Sequence, residues 1–356
     1  MNERENIKFK VCVRCATYNH ANYIIDTLNG FTMQETDFPF VCCVIDDAST
    51  DGEQNVIKEY LQKNFDLTDS SVVRNEETND YYLTYAQHRT NRNCYFAVLY
   101  LKYNHFRKPE SKSRKFQYIS EWNEHTEYIA LCEGDDYWVD RNKLQVQVTF
   151  LDSHPNINMC THACQIVGND KKVISVMRTK GGDHILDTGK LIEGVGAGRT
   201  VTLVYRPRLY DNRPSFWSKL RVGDYPLCIY YAINGGIYYI DKVMSTYRRF
   251  TSNSWTSRAQ KDHIFFLEHV EKMIVWVKEF DEYTNYRYHE NVEKRIDYCQ
   301  FLIYLRQNKW QEIYRSRFFK SLKMKQFCKI VVRDKCPKLF YELRRLSNNF
   351  KRKTIS

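Results

Sequence analysis

The run Tyr128-Ile129-Ala130-Leu131-Cys132 carries no charge and breaks off at Glu133-Gly134-Asp135-Asp136. A short uncharged run bounded by polar residues is the pattern of a strand buried on both faces, the strand type of parallel α/β sheets. Gly134 lets the backbone turn tightly where the strand ends. The three carboxylates that follow repel one another unless a cation, or donors from the protein, occupy the space between them. Oxygen-only ligands suit Mg²⁺ or Mn²⁺, which take one or two carboxylates and complete their shell with water and phosphate oxygens. Taken alone, the stretch equally suits a surface turn of solvated acids, so the rest of the chain decides.

The chain before it repeats the theme. Lys8 to Ala16 alternates as a strand, Thr17-Tyr18-Asn19-His20 makes a turn, and Tyr23, Ile24, Leu28 and Phe31 follow helical spacing. Pro39 to Ile45 is a second buried strand that ends in Asp46-Asp47-Ala48-Ser49-Thr50-Asp51-Gly52, after which Val56, Ile57, Tyr60 and Leu61 mark a second helix. Strand, helix, strand, helix at this spacing predicts an open, mostly parallel sheet with covered faces. Ligands gather at the carboxyl ends of such strands, so the three polar turns are expected to meet at one edge. Asp46 and Asp47 suit a ribose hydroxyl or a base N–H, while Ser49, Thr50 or Asp51 suits a helix cap. No GxGxxG follows the first strand, which weighs against a dehydrogenase.

Further along, Ser71 to Asn75 reads as a third short strand. Residues 79–116 are rich in Tyr and Asn, contain the apolar run Cys94 to Leu101 and end in the exposed-loop sequence KPESKSRK, with no chemical role assigned. Lys143 to Asp152 reads as a helix, and Met159 to Val167 and Lys172 to Val176 as strands. Gly194 to Arg206 reads as a glycine-rich turn entering a strand. Asp224 opens an apolar helix, where an N-cap role would suffice to explain it. Ile237 to Ile240 is a strand, and Val243 to Phe250 brings Tyr247, Arg248 and Arg249 together.

With 356 residues, 43% hydrophobic and 27% charged, the chain describes a soluble globular protein of one large domain or two of moderate size. No window approaches a membrane span, and MNERENIKFK lacks the apolar core of a signal peptide, so a cytoplasmic location is expected. The twelve cysteines fit that compartment, most of them lying in apolar segments. Cys12 and Cys15 have CxxC spacing within a strand and lack a second pair, so no metal is assigned to them. The net charge of +11 is concentrated at one end: Arg315 to Ser356 holds fourteen Lys or Arg against Asp334 and Glu342, which leaves the other 314 residues near −1. A near-neutral body argues against a nucleic-acid partner. The basic tail suits either a solvated helical appendage or peripheral contact with the anionic inner face of a cell membrane.

Set in order, VRCATYNHANYI, VIDDASTDG, EYIALCEGDDYW and GDYPL…YYIDKVMSTYRR follow the succession seen in bacterial family 2 glycosyltransferases, and the chain resembles that family over roughly residues 8–258. The resemblance implies an α/β GT-A fold over residues 1–258, with a Rossmann-like nucleotide-binding half fused to an acceptor half around one mostly parallel sheet. Residues 259–356 then form a helical, basic C-terminal extension. It implies inverting transfer from a nucleoside diphosphate sugar, with a UDP-sugar as the expected donor, to the hydroxyl of a glycan or lipid-linked acceptor in cell-surface polysaccharide assembly. Carried over by motif, Thr17, Asn19, Asp46, Asp47 and Asp135 would hold the nucleotide. Asp135 is the first choice for the Mn²⁺ or Mg²⁺ ligand, with Asp136 and Glu133 beside it, and Asp224 falls where the family carries its catalytic base. Many relatives place a His shortly after the YR pair; this chain has Arg249-Phe250. That departure implies either fewer metal ligands or direct diphosphate binding by Arg248 and Arg249, with weaker metal dependence. The alternative from another class is a non-catalytic nucleotide-sugar binding or scaffold protein. A sugar nucleotidyltransferase is disfavoured because no glycine-rich, basic phosphate loop follows the first strand.

Overall fold

The computed structural model describes residues 7–106, 114–196, 198–207, 213–220, 223–249, 255–336 and 338. The chain divides into two compact units, residues 1–215 with 222–257, and residues 216–221 with 258–356.

The first unit is built on one mixed sheet. Its strands are β1 (Val11–Thr17), β2 (Phe40–Asp46), β3 (Arg74–Glu77), β4 (Tyr81–Gln87), β5 (Cys94–Leu101), β6 (Tyr128–Leu131), β7 (Tyr137–Trp138), β8 (Met159–Val167), β9 (Val173–Met177), β10 (His184–Ile185), β11 (Val204–Tyr205) and β12 (Ile237–Arg248). They lie in the order β10-β12-β8-β11-β6-β1-β2-β5-β4-β3, with β7 on β12 and β9 on β8. The centre β6-β1-β2-β5 is parallel, as the uncharged runs require, and β8 pairs with β12 in parallel. Antiparallel strands complete both flanks.

Helices Ile24–Thr32 and Glu53–Asn64 follow β1 and β2 and bury Ile24, Leu28, Phe31, Ile57, Tyr60 and Leu61 against Val11, Val13, Cys15, Cys42 and Val44. Each fully buried aliphatic or aromatic side chain there contributes about 1.5–3 kcal/mol. The register sets the site: Thr17 pairs with Asp46 at the ends of β1 and β2, and Arg14 pairs with Leu131 at the end of β6. Three strands therefore release their polar turns at one edge.

Several expectations shift. The short third strand begins at Arg74, and residues 79–116, which have no chemical role assigned, contribute the antiparallel pair β4-β5. Most of KPESKSRK lies outside the described residues. Gly194 to Arg206 yields only the two-residue β11, preceded by the helix Thr188–Glu193 and a 3₁₀ turn at Thr200–Thr202. Ile237 to Arg248 is one strand whose register slips between Ile240 and Ser245, so Asp241-Lys242 marks an irregularity within a strand, not its end.

In the second unit, helices His263–Tyr283 and His289–Arg306 are followed by Trp310–Arg315, Arg317–Lys320 and Met324–Lys335. Asp262 caps the first by accepting the Phe265 N–H at 2.9 Å. Trp217, in the short segment 216–221, meets Trp276 edge-on at 4.8 Å. Phe301, Ile313 and Phe319 form a small core, and Phe327 reaches it through Phe319 at 4.9 Å. Met324–Lys335 buries no residue fully and leaves Met324 74% exposed. Among the described residues no helix is long and apolar enough to cross a membrane. Residues 339–356, the remainder of the basic tail, lie outside the described residues.

Candidate active site

The end of β1 is a junction. Thr17 donates its hydroxyl to Glu53 and lies 3.1 Å from His20 Nδ1. Glu53 is fully buried and also accepts the His20 N–H at 2.9 Å and the Ser49 hydroxyl at 2.8 Å. Burial raises its pKa against these three hydrogen bonds. Gly134 packs directly on this junction: a Cβ there would fall 2.0 Å from Thr17 Oγ1, so only glycine admits the β6 turn so close to β1. Asn19 adopts a left-handed φ of 56° and accepts the Thr50 N–H at 2.8 Å, tying the first polar turn to the second. Gly52 takes the cap position of the helix after β2, and of the three expected caps Asp51 serves the helix start, its Oδ1 accepting the Glu53 N–H at 3.1 Å.

Asp46 and Asp47 part company, as adjacent strand-end residues do. Asp46 is buried; its Oδ1 accepts the Ser49 N–H at 3.0 Å and Gln54 Nε2 at 2.7 Å, while its Oδ2 is buried without a partner. Burial pushes its pKa up against those bonds. Asp47 accepts the backbone N–H groups of His105 and Phe106 at 2.6 and 3.2 Å and an ion pair from Lys115 at 3.0 Å. Its carboxylate anchors the chain after β5, so the expected nucleotide contact by Asp47 gives way to a structural one.

At the β6 turn, ligand oxygens of Glu133, Asp135 and Asp136 lie within 4.8 Å of one another. Thr27 bridges the turn through the carbonyls of Gly134 and Asp136 at 3.0 and 2.6 Å. The side chain of Glu133 is exposed, yet displacement of water by the surrounding protein, with repulsion from Asp135 and Asp224, pushes its carboxyl up to about 8 against the opposing pull of Lys115. Asp136 is buried and accepts the Arg248 N–H at 2.7 Å; burial and its two acidic neighbours hold its pKa well above the usual carboxylate range. Asp135 is partly open and faces His20 Nε2 at 3.9 Å.

Arg248 corrects the expectation of a phosphate ligand. Only 1% exposed, it pairs with Asp26 at 2.7 Å, donates to the Asp135 carbonyl, and lies between the rings of Tyr23 and Tyr137 at 4.7 and 5.0 Å. It holds the acidic turn in place from behind. Arg249 is half-buried and its N–H closes onto the Val167 carbonyl at 2.9 Å. Phe250 lies outside the described residues.

Asp224 is the first residue of the helix Asp224–Ile233, with Gly223 at the cap position, and its Oδ1 accepts the Tyr225 N–H at 2.8 Å. Its charge raises Glu133, which places the two acids in one electrostatic environment. Burial in turn raises the pKa of Asp224, with Arg199 opposing. Cys15, beneath the turns, feels Glu53 together with Glu133, Asp135 and Asp136. The turns after β1, β2 and β6 and the start of the 224–233 helix thus converge.

Residues 12–86 match the model described as Glycosyl transferase family 2. This segment belongs to glycosyl transferase family 2, and the fold it opens is GT-A. The crystal structure of S. aureus TarS residues 1–349 in complex with UDP-GlcNAc superposes with a TM-score of 0.51 at 18% identity, covering 89% of this chain and 77% of that one. Uncharacterized proteins of Mycobacterium bovis and Mycobacterium tuberculosis are 29% identical over 242 residues. That span is 68% of this chain and 59% of each relative, so the chain matches somewhat over half the length of these mycobacterial proteins. Within the GT-A frame, motif reading missed Glu53, Asp26 and Arg199. Asp26 had a visible signal, a lone acid in the first turn of an apolar helix; Glu53 and Arg199 follow glycines and carry no periodic signature.

Proposed function

We propose that this chain transfers a sugar from a nucleoside diphosphate sugar to an acceptor hydroxyl with inversion at the anomeric carbon. The observation that carries the reading is the electrostatic meeting of Asp224 with the Glu133-Asp135-Asp136 turn, beside a buried carboxylate oxygen of Asp46 that has no partner. A buried carboxylate oxygen left unpartnered is costly, and an N–H or O–H donor from a base or ribose would satisfy it. Thr17, Asn19 and Glu53 hold the two turns that frame that oxygen.

Crowded carboxylates whose mutual repulsion raises their pKa fit a hard divalent cation, and Glu133 and Asp135 are the members open enough to hold Mn²⁺ or Mg²⁺. Bound there, the ion would supply Lewis-acid stabilisation of a departing diphosphate. Arg248 and Thr27 keep the turn in position for it. Asp224 accepts the proton of the attacking hydroxyl, and the upward push on its pKa makes it a stronger base than an ordinary aspartate. Such help is typically worth about 10²- to 10⁴-fold. A single displacement needs no covalent nucleophile, and the ten cysteines from Cys12 to Cys299 are buried thiols outside that role.

The acceptor class we propose is a glycan or lipid-linked hydroxyl of cell-surface polysaccharide assembly. The support is the exposed, basic Met324–Lys335 helix, suited to an anionic membrane surface where such acceptors reside. The deciding experiment is a thermal-shift screen of UDP-, GDP- and dTDP-sugars with and without Mn²⁺, since a ligand of the native state raises apparent stability. One donor should stabilise the protein, and Asp224→Asn should keep that shift while losing transfer and donor hydrolysis by at least 10²-fold. Nucleotide binding without turnover in the unsubstituted protein would instead establish a non-catalytic binding protein.

A further inference from the structure

Arg199 stands apart from the other cations of the site. Arg248 is committed to Asp26 and the Asp135 carbonyl, and Lys115 to Asp47. Arg199 precedes the 3₁₀ turn Thr200–Thr202, which is pinned by Thr202 through Thr161 at 2.7 Å and by Gln147 at 3.0 Å. Its backbone is therefore rigidly placed. Its guanidinium lies over the Tyr247 ring at 5.0 Å, next in sequence to Arg248, and its charge acts on Asp224. Among the described residues no carboxylate pairs with it, and its Nε is buried without a hydrogen-bond partner.

Asp224 is within reach of this charge and Asp135 and Asp136 act on the same tyrosine, so acids for an internal ion pair are at hand. A guanidinium that stays unpaired, stacked on an aromatic ring and held on a pinned turn, retains its donors for something else. Guanidinium forks match phosphate oxygens in a bidentate fashion, and stacking pre-organises the fork at low entropic cost. Resting on the glycosyltransferase reading above, we propose that Arg199 receives a phosphate group of a substrate, either the diphosphate of the donor or a phosphate carried by the acceptor. Its charge reaches Asp224, and the tyrosine it stacks on is next to Arg248, which donates to the Asp135 carbonyl of the acidic turn.

The test compares the unsubstituted full chain, Arg199→Gln and Arg199→Lys by calorimetric titration with Mn²⁺ present. Probes are UDP, GDP and dTDP with their matching nucleosides, then inorganic phosphate and glycerol 3-phosphate added to protein saturated with whichever nucleotide binds. A lost charge-assisted contact is expected to weaken phosphate binding about 10- to 100-fold, with Arg199→Lys retaining part of it. If Arg199→Gln weakens the diphosphate but not the nucleoside, Arg199 holds the donor. If diphosphate binding is unchanged and the second-phase phosphate or glycerol 3-phosphate binding is lost, Arg199 holds an acidic acceptor. Unchanged titrations in both phases overturn the proposal while leaving the glycosyltransferase reading intact. If the unsubstituted protein binds none of the nucleotides, that reading fails, and phosphate binding abolished or unaffected by Arg199→Gln still decides for or against Arg199. Circular dichroism and unfolding temperature of both variants separate lost contact from lost fold.

Discussion

Lys143 offers a test of the architecture behind the site that needs no ligand. It is the first residue of the helix Lys143–Ser153 and is fully buried, with its ammonium 2.8 Å from Gln147 Oε1 and 4.2 Å from the centre of the Trp138 ring. Trp138 in turn donates its indole N–H to the Val201 carbonyl at 3.2 Å and sits two residues past Asp136, so the lysine packs against β7, the short strand that follows the acidic turn. Gly30 allows the helix Ile24–Thr32 to reach the same strand, since a Cβ would meet Trp138 N at 2.8 Å. No carboxylate neutralises Lys143 among its described contacts. Burial lowers its pKa from 10.5 to about 7, opposed by Cys132 and Cys160.

A lysine whose folded pKa is depressed costs stability wherever the unfolded chain would hold its proton. Its penalty is full below pH 7 and fades as pH rises towards the unfolded value of 10.5. One pKa unit is worth about 1.4 kcal/mol, so the native protein should gain about 3 kcal/mol between pH 7 and pH 9.5 from this group alone. Lys143→Met keeps the length of the side chain and removes the titration. It leaves Gln147 Oε1 short of a donor, a fixed cost of about 1–3 kcal/mol that does not change with pH. The measurement is therefore a difference: urea unfolding of both proteins at pH 7 and at pH 9.5. Relative to the variant, the lysine protein should gain about 3 kcal/mol, and a gain below about 1 kcal/mol would show that the ammonium finds solvation the packing does not provide.

Arg248→Met should cost about 1–3 kcal/mol by leaving the Asp135 carbonyl and one oxygen of Asp26 without their donor, Asp26 keeping Lys171 at 2.8 Å, whereas a pure phosphate ligand would leave stability unchanged and reduce nucleotide binding alone. Mn²⁺ should raise the unfolding temperature more at pH 9 than at pH 6, because Glu133 holds its proton until about 8 and the ion must displace it; a shift independent of pH would remove Glu133 from the ligand set. Vesicles containing anionic lipid should sediment the protein at low salt and neutral vesicles should not, and Lys325→Glu with Lys329→Glu should abolish the effect; binding indifferent to lipid charge would eliminate the membrane role of the Met324–Lys335 helix.

How much of this was legible in the sequence depended on whether a residue advertised its surroundings. The central strands did so, because β2 and β5 are buried at every position and an uncharged run has few other places to go. β4 did not: Tyr81 to Gln87 buries only Leu83 and Ala86, and its tyrosines and polar residues resemble those of a loop. The strand read from the sequence stops at Ile240 because the charged pair Asp241-Lys242 interrupts an apolar run, yet the strand passes through it with a slip in register.

The acids and arginines show the limit more sharply. Asp46 and Asp47 are identical in type and adjacent in number, and only the fold determines that one keeps a buried oxygen unpartnered while the other ties down the chain after β5. Arg248 and Arg249 divide by the same two-residue alternation of a strand. Arg248 turns inward to Asp26, a partner 222 positions earlier in the chain that no local pattern could indicate. The consequence for function is a division of labour among cations. If a pinned, unpaired guanidinium meets substrate, it is Arg199 in the turn after Gly198, and Arg248, which motif order favoured, holds the turn that carries Asp135 and the buried Asp136.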